Sequence, residues 1–171
     1  ADLVMVFCNT RRNVDFIANN LISLGINAKA IHGGIEQNKR IKVLDDFHKK
    51  GLGVLVCTDV ASRGLDIKGV SHVYNYEVPS DSKDYIHRIG RTARAGKEGK
   101  AITILASRDY ENFNNLLSLG DTNITPEELP EIKMFRVILD SGRRNRFTGR
   151  VNNRDEGRDP SRGNRRPNPR N

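Results

Sequence analysis

The sequence predicts an α/β domain with a parallel sheet covered by helices on both faces, followed by a disordered arginine-rich tail. Three observations predict it. Short apolar runs, the kind expected of strands buried on both faces, recur through the first 119 residues. Segments with apolar residues at helical spacing separate them. From Arg143 onward the apolar residues all but stop, with only Phe147 and Val151 among Arg, Asn, Gly, Pro and Asp. Strands that alternate with helices imply parallel pairing, because a crossover is needed to bring the next strand back in the same direction.

The elements follow in order. Leu3 to Cys8 is the first strand run. Asn9 to Leu24 carries apolar residues at 14, 17, 18, 21 and 22, an amphipathic helix closed by Gly25. Ala28 to Ile31 is a short second strand, and Gln37 to Lys50 a helix that buries Ile41, Leu44 and Phe47 before Gly51. Val54 to Cys57 and Val70 to Tyr76 are the third and fourth strands. Asp81 to Arg91 reads as a helix and Lys100 to Leu105 as a fifth strand. Ser107 is placed to N-cap a last helix burying Tyr110, Phe113, Leu116 and Leu117.

Residues 120–142 are ambiguous: Thr125-Pro-Glu-Glu128 resembles a helix start that Pro130 cuts short, and Lys133 to Leu139 fits a strand or a short helix. The layout expected is a domain over 1–120, a linker or C-terminal extension over 121–142, and a disordered tail over 143–171.

Charge separates these parts. The chain of 171 residues has a net charge of +8 and 36% hydrophobic residues, low for a chain packed throughout. Residues 143–171 hold ten Arg, no Lys and three acids, so the tail carries +7 of the total and the rest is nearly neutral. Such a tail buries too little apolar surface to offset its ordering entropy. No run approaches the ~18 apolar residues that span a bilayer, so no membrane partner is expected. The two cysteines, Cys8 and Cys57, end strand-like runs and read as reduced core thiols of a cytoplasmic protein, without metal-ligand spacing. The chain opens at Ala1 almost directly into a strand, which suggests a piece of a longer protein.

Ligands of parallel sheets sit beyond the carboxyl ends of strands, so the loops after Cys8, Ile31, Cys57 and Tyr76 are where chemistry is expected. Two segments there stand out. In Tyr85-Ile-His-Arg-Ile-Gly-Arg-Thr-Ala-Arg-Ala-Gly96, a helix would put His87, Arg91 and Arg94 on one face and Tyr85, Ile86 and Ile89 opposite. A solvated basic face would gain nothing from Gly90 and Gly96, which favours a phosphate-handling role. In Val56-Cys-Thr-Asp-Val-Ala-Ser-Arg-Gly-Leu-Asp66, a buried strand gives way to Thr58, Arg63 and Asp66, expected to be exposed, with Gly64 permitting close backbone approach.

Together these segments carry a resemblance. Thr58-Asp-Val-Ala-Ser-Arg-Gly-Leu-Asp66 resembles motif V, and His87-Arg-Ile-Gly-Arg-Thr-Ala-Arg94 motif VI, of DEAD-box ATP-dependent RNA helicases. Val6-Phe-Cys-Asn-Thr10 resembles motif IV, and Gln37-x-x-Arg40 after His32-Gly-Gly34 resembles motif IVa, in the family's order. The likeness spans about residues 3–119. It implies the second RecA-like domain of such an enzyme. Arg91 and Arg94 would be arginine fingers on the γ-phosphate of ATP, Asp66 would meet the ribose side, and His87 would join the network between the ATP and RNA sites. Thr10, Gly34, Arg40, Thr58, Arg63 and Gly64 would lie along the RNA backbone, which hydroxyls, amides and Arg read without reading sequence.

Ser62 and Ala93 stand where the family often has Ala and Gly. No Gly-x-x-x-x-Gly-Lys-Ser/Thr loop and no Asp-Glu-Ala-Asp run occurs in the sequence. The resemblance therefore implies that ATP and Mg2+ are held mainly by an N-terminal RecA-like domain in cis, that this chain alone is inactive, and that the enzyme is monomeric. The alternative is a non-catalytic RNA-binding module of the same fold. Motif VI with both arginines argues against it, since passive binding needs no fingers. The tail is expected to add sequence-independent RNA affinity, because Arg both pairs with phosphate and stacks on bases.

Overall fold

Side chains alternate across a strand, so a strand apolar at every position must feed two cores. In the computed structural model, which describes residues 3–49, 51–65, 67, 70–92, 99–118, 120 and 124–139, that is what happens. Strand β1 (Leu3–Phe7) sends Leu3, Met5 and Phe7 to one core and Val6 to the other; β3 (Val54–Cys57) sends Leu55 and Cys57 to the first and Val54 and Val56 to the second. Helix α1 (Arg11–Ser23) covers the second core with Val14 and Ala18, and α2 (Gln37–His48) covers the first with Phe47.

With β2 (Ala28–Ile31), β4 (Val70–Asn75) and β5 (Lys100–Thr103), the strands form one sheet in the order β2-β3-β1-β4-β5, every neighbouring pair parallel. The chain leaves β1 toward β2 and leaves β4 toward β5. These opposite departures open a crevice at the carboxyl ends of β1 and β4, the usual ligand site of such a sheet.

Caps explain where the helices stop and start. Thr10 caps α1, its Oγ1 accepting from the Asn13 N–H at 3.1 Å. At the other end the Ile26 N–H donates to the Leu21 carbonyl at 3.0 Å and the Gly25 N–H to that of Ile22 at 2.9 Å, a Schellman closure with Gly25 at φ +79°. Asp81 caps α4 (Ser82–Ile89) through a 2.8 Å bond from the Lys83 N–H.

The structure differs from the sequence expectations in several places. A one-turn helix α3 (Asp59–Ser62) follows β3 where only a loop was expected. Ser107 opens a 3-10 turn (Ser107–Asp109) instead of capping, and α5 (Tyr110–Leu117) starts after it. Leu116 is buried, but Tyr110 is 55% exposed and Leu117 is exposed too, because a two-turn helix buries only a narrow strip. Ile41 is likewise exposed on α2. Residues 124–139 form neither helix nor strand; the Asn20 side chain holds them by accepting from the Ile138 N–H at 2.8 Å and donating to its carbonyl at 3.1 Å. The tail from 143 lies outside the described residues.

Candidate functional site

Asn9 follows β1, Asp59 follows β3 by one residue, and Glu77 follows β4. A single side chain joins all three. Arg88 of α4 is 1% exposed, and each of its five guanidinium N–H donors has an acceptor. Nε and Nη2 donate to the two Asp59 carboxylate oxygens, each at 2.7 Å; Nη2 also donates to Asn9 Oδ1 at 2.7 Å. Nη1 donates to the Glu77 carbonyl at 2.6 Å and to Asn75 Oδ1 at 3.5 Å. Its Cζ lies 5.3 Å from the Phe7 ring centroid. A buried charge is tolerable only when paired and fully bonded, and the bidentate carboxylate meets both conditions.

The partners are themselves fixed. Glu77 accepts from the Asn9 N–H at 2.8 Å and from Asn13 Nδ2 at 2.7 Å, and Asn9 Nδ2 donates to the Val78 carbonyl at 2.9 Å. Burial pushes the nearby Cys8 thiol up to about 12, with the Glu77 charge adding to the rise and Arg88 opposing it. Burial raises the Cys57 thiol as well. Both are free, buried and inert as nucleophiles.

The rim is built differently. Arg63 forms an ion pair with Asp84, and His87 Nδ1 stands 3.8 Å from the same carboxylate oxygen. Helix α4 ends at Ile89, and the Gly90 N–H still donates to Ile86 at 2.9 Å. A Cβ on Gly90 would sit 3.0 Å from the Ile86 carbonyl oxygen, which accounts for glycine there. The turn that follows is anchored by Thr92, whose hydroxyl faces the Val70 and Ser71 carbonyls at 2.8 and 3.1 Å. Arg91 leaves this turn toward motif V, Nη1 donating to the Leu65 carbonyl at 2.9 Å; its buried Nε has no hydrogen-bond partner.

The second loop is locked by a histidine. His32 Nε2 lies 3.0 Å from Asp15 Oδ1, and Nδ1 accepts from the Gly34 N–H at 3.1 Å, which assigns the ring proton to Nε2. A Cβ at Gly33 would come within 3.1 Å of the Arg11 guanidinium, so Arg11 lies over this loop. Arg40 Nη2 donates to the Ala61 carbonyl at 3.2 Å, which ties the first turn of α2 to motif V. Gly64 has φ +77° and nothing within 4 Å of where a Cβ would stand, so the backbone there faces open space.

The sequence-derived residues therefore fall into groups. Arg63, Gly64 and His87 lie on the rim, with Arg91 half-buried beside them; Thr10 and Gly34 lie in the loops after β1 and β2, and Arg40 in the first turn of α2. Thr58, expected to be exposed, is 8% exposed, because it ends the buried strand and starts α3. The helical face expected to join 87 and 91 does not form, since α4 stops at Ile89. On α4 itself Ile86 is 47% exposed, and Arg88 takes the buried position. Asp66 and Arg94 lie outside the described residues. Arg88, Asp59, Asn9 and Glu77 were missed by sequence reasoning. The available signal was an Asp immediately past a buried strand and an Arg amid the apolar positions of α4. Among the described residues no cluster of three or more His, Cys, Asp or Glu could hold a metal ion, and no helix is long and apolar enough to cross a membrane.

Residues 1–96 match the family described as the helicase conserved C-terminal domain. Over 129 residues the chain is 45% identical to the ATP-dependent RNA helicase CshA of Limosilactobacillus reuteri, covering 75% of this chain and 26% of that protein. The chain belongs to the DEAD-box RNA helicase family, as its C-terminal RecA-like domain. The chain thus spans about a quarter of the length of the curated DEAD-box relative it matches. The DEAD-box protein SrmB of E. coli is 40% identical, with a TM-score of 0.64 over 68% of each chain. Mss116p DEAD-box helicase domain 2, solved with an RNA duplex, is 34% identical, with a TM-score of 0.68 over 77% of this chain and 53% of that one.

Proposed function

We propose that this domain supplies half of the ATP site and half of the RNA site of a monomeric, cytoplasmic ATP-dependent RNA helicase. The other half of each belongs to an N-terminal RecA-like domain in cis, which holds ATP and Mg2+ through the phosphate loop and acidic run absent from this sequence. The domain layout follows: residues 1–120 as the helicase domain, 121–142 as an extension, and 143–171 as a basic tail that adds RNA affinity.

The observation that carries this reading is the state of Arg91. One amino group is held by the Leu65 carbonyl, so the guanidinium is positioned beside motif V at the end of α4. Such a fork suits the charge that develops on a transferring phosphoryl group. Arg94 is the second finger and Asp66 the ribose contact by their place in the motifs. On the RNA side, Thr10 uses an oxygen lone pair to cap α1, which leaves its O–H to donate to a phosphate. Gly34 and Gly64 let the RNA backbone approach, Arg63 meets phosphate by releasing Asp84, Thr58 forms the floor of the groove, and Arg40 contributes from its seat against Ala61. His87 shares the Asp84 carboxylate with Arg63, which links the two sites.

The test is ATP turnover by the full-length helicase. Arg91→Ala or Arg94→Ala should lower it by on the order of 10³–10⁵ while sparing RNA binding. Lys should rescue poorly, because a point charge lacks the planar fork. A folded Ala variant that turns over ATP at the unaltered rate is not missing a finger, and the proposal then fails.

A further inference from the structure

We infer that Arg88 is a positioning residue that makes the RNA-facing loops and the finger-bearing turn move as one body. The inference rests on the proposed function and adds a residue to it. Arg88 is sealed from solvent and touches neither ligand.

Three of its five bonds end next to a residue assigned to a site, and the other two tie it to the end of β4. Asn9 precedes Thr10, Asp59 follows Thr58, and Arg88 itself lies between His87 and Arg91. Asn9 and Asp59 sit 50 positions apart in sequence and meet on one guanidinium amino group, Nη2, which donates to both. From there the chain continues to Gly90 and the turn that directs Arg91 at Leu65.

The geometry gives no slack. Every N–H of Arg88 is matched, so a shift of the motif IV or motif V loop must either break a buried charge-assisted bond or drag α4 with it. Breaking one is expensive in a dry site, so the loops and α4 move together. RNA docking on Thr10 and Thr58 is in this way registered at Arg91. Lys cannot replace Arg88, since three tetrahedral donors on one nitrogen cannot reach acceptors spread around a planar fork.

The experiment uses the full-length helicase with Arg88→Lys, Asn9→Ala, Asp59→Asn and the Asn9/Asp59 double variant. Each is checked by thermal melt and then assayed for ATP turnover against RNA concentration. At a temperature where it is folded, Arg88→Lys should lose turnover by on the order of 100-fold, as expected when reacting groups are misplaced by about an ångström. It should also need more RNA for half-maximal stimulation. The Asn9 and Asp59 effects on that RNA concentration should be non-additive, because both act through one guanidinium.

A purely structural Arg88 would lower the melting temperature yet leave turnover per folded molecule and its RNA dependence unchanged; that result, or strictly additive partner effects, overturns the inference. Arg91→Ala run alongside separates the two readings. Its loss of turnover together with an intact Arg88→Lys sinks only the positioning role, whereas full turnover in Arg91→Ala sinks the proposed function. As a further readout, the Arg88 Nε–H in this chain should give a slowly exchanging NMR signal that disappears in Asp59→Asn; a rapidly exchanging signal in the unaltered chain contradicts the sealed clasp.

Discussion

Two arginine–aspartate pairs lie within one motif's reach of each other and could hardly differ more. Arg88–Asp59 is bidentate, sealed and completed by Asn9, Asn75 and the Glu77 carbonyl. Arg63–Asp84 is a single ion pair on the rim, its arginine side chain 54% exposed where that of Arg88 is fully buried, and its aspartate, 18% exposed like Asp59, shared with His87. The first must stay as it is, because separating buried charges leaves one of them unpaired in a dry environment. The second can exchange partners more readily, since its arginine stays in solvent when the pair opens and His87 remains beside the aspartate. Rigidity and availability for a ligand are thus divided between two copies of the same chemistry.

The largest effect should come from breaking the sealed pair. Asp59→Ala in this chain should lower the unfolding free energy by about 3–5 kcal/mol, the cost of stranding a buried guanidinium. Chemical denaturation measures it, and a decrease below about 1 kcal/mol would mean that water reaches Arg88.

The thiols beside this junction report the same dryness. The folded Cys8 pKa is raised from 9.0 to about 12, so the fold favours the neutral thiol. Its contribution is fully present below pH 9 and is lost as pH rises from 9 through about 12, where the unfolded thiol ionises and the folded one resists. Stability should therefore fall across that window, and less steeply in a Cys8→Ala variant at equal starting stability. At pH 8 a disulfide reagent should react with neither cysteine in the folded chain and with both after denaturation; rapid labelling of the native chain would contradict the burial.

The tail should alter RNA binding without altering the fold. Residues 1–142 should bind single-stranded RNA more weakly than 1–171. Their salt dependence should be shallower, by about 0.7 log units per log unit of salt for each phosphate the tail neutralises. Equal slopes would make the tail a spectator. The smallest effect belongs to the rim pair: Arg63→Ala should change unfolding free energy by less than about 1 kcal/mol while weakening RNA binding. A large drop in stability there would erase the contrast between the two pairs.

The fold was legible because each strand is a compact apolar run and each helix has an apolar stripe. All five strands form within a residue or two of their expected ends. The site was legible only in its outer parts. His87, Arg91 and Arg63 are chemically conspicuous, and Gly90 announced the end of α4, although the helix was read through it to Arg91. Arg88 was overlooked because an arginine in a basic cluster is expected in solvent. Its burial depends on Asn9 and Asp59, which are distant in sequence and meet only once β1, β3 and β4 align. Residues 124–139 stayed ambiguous because Pro126 and Pro130 break any regular pattern and distant side chains, Asn20 and Lys100, do the anchoring.

A domain that supplies only half of an ATP site should not turn ATP over alone. Steady-state ATP hydrolysis by the chain alone, with and without RNA, and by the full-length helicase at the same concentration tests it most directly. No turnover above background is expected for the chain under either condition, and RNA-stimulated turnover for the full-length protein. RNA-stimulated hydrolysis by the chain alone would contradict it.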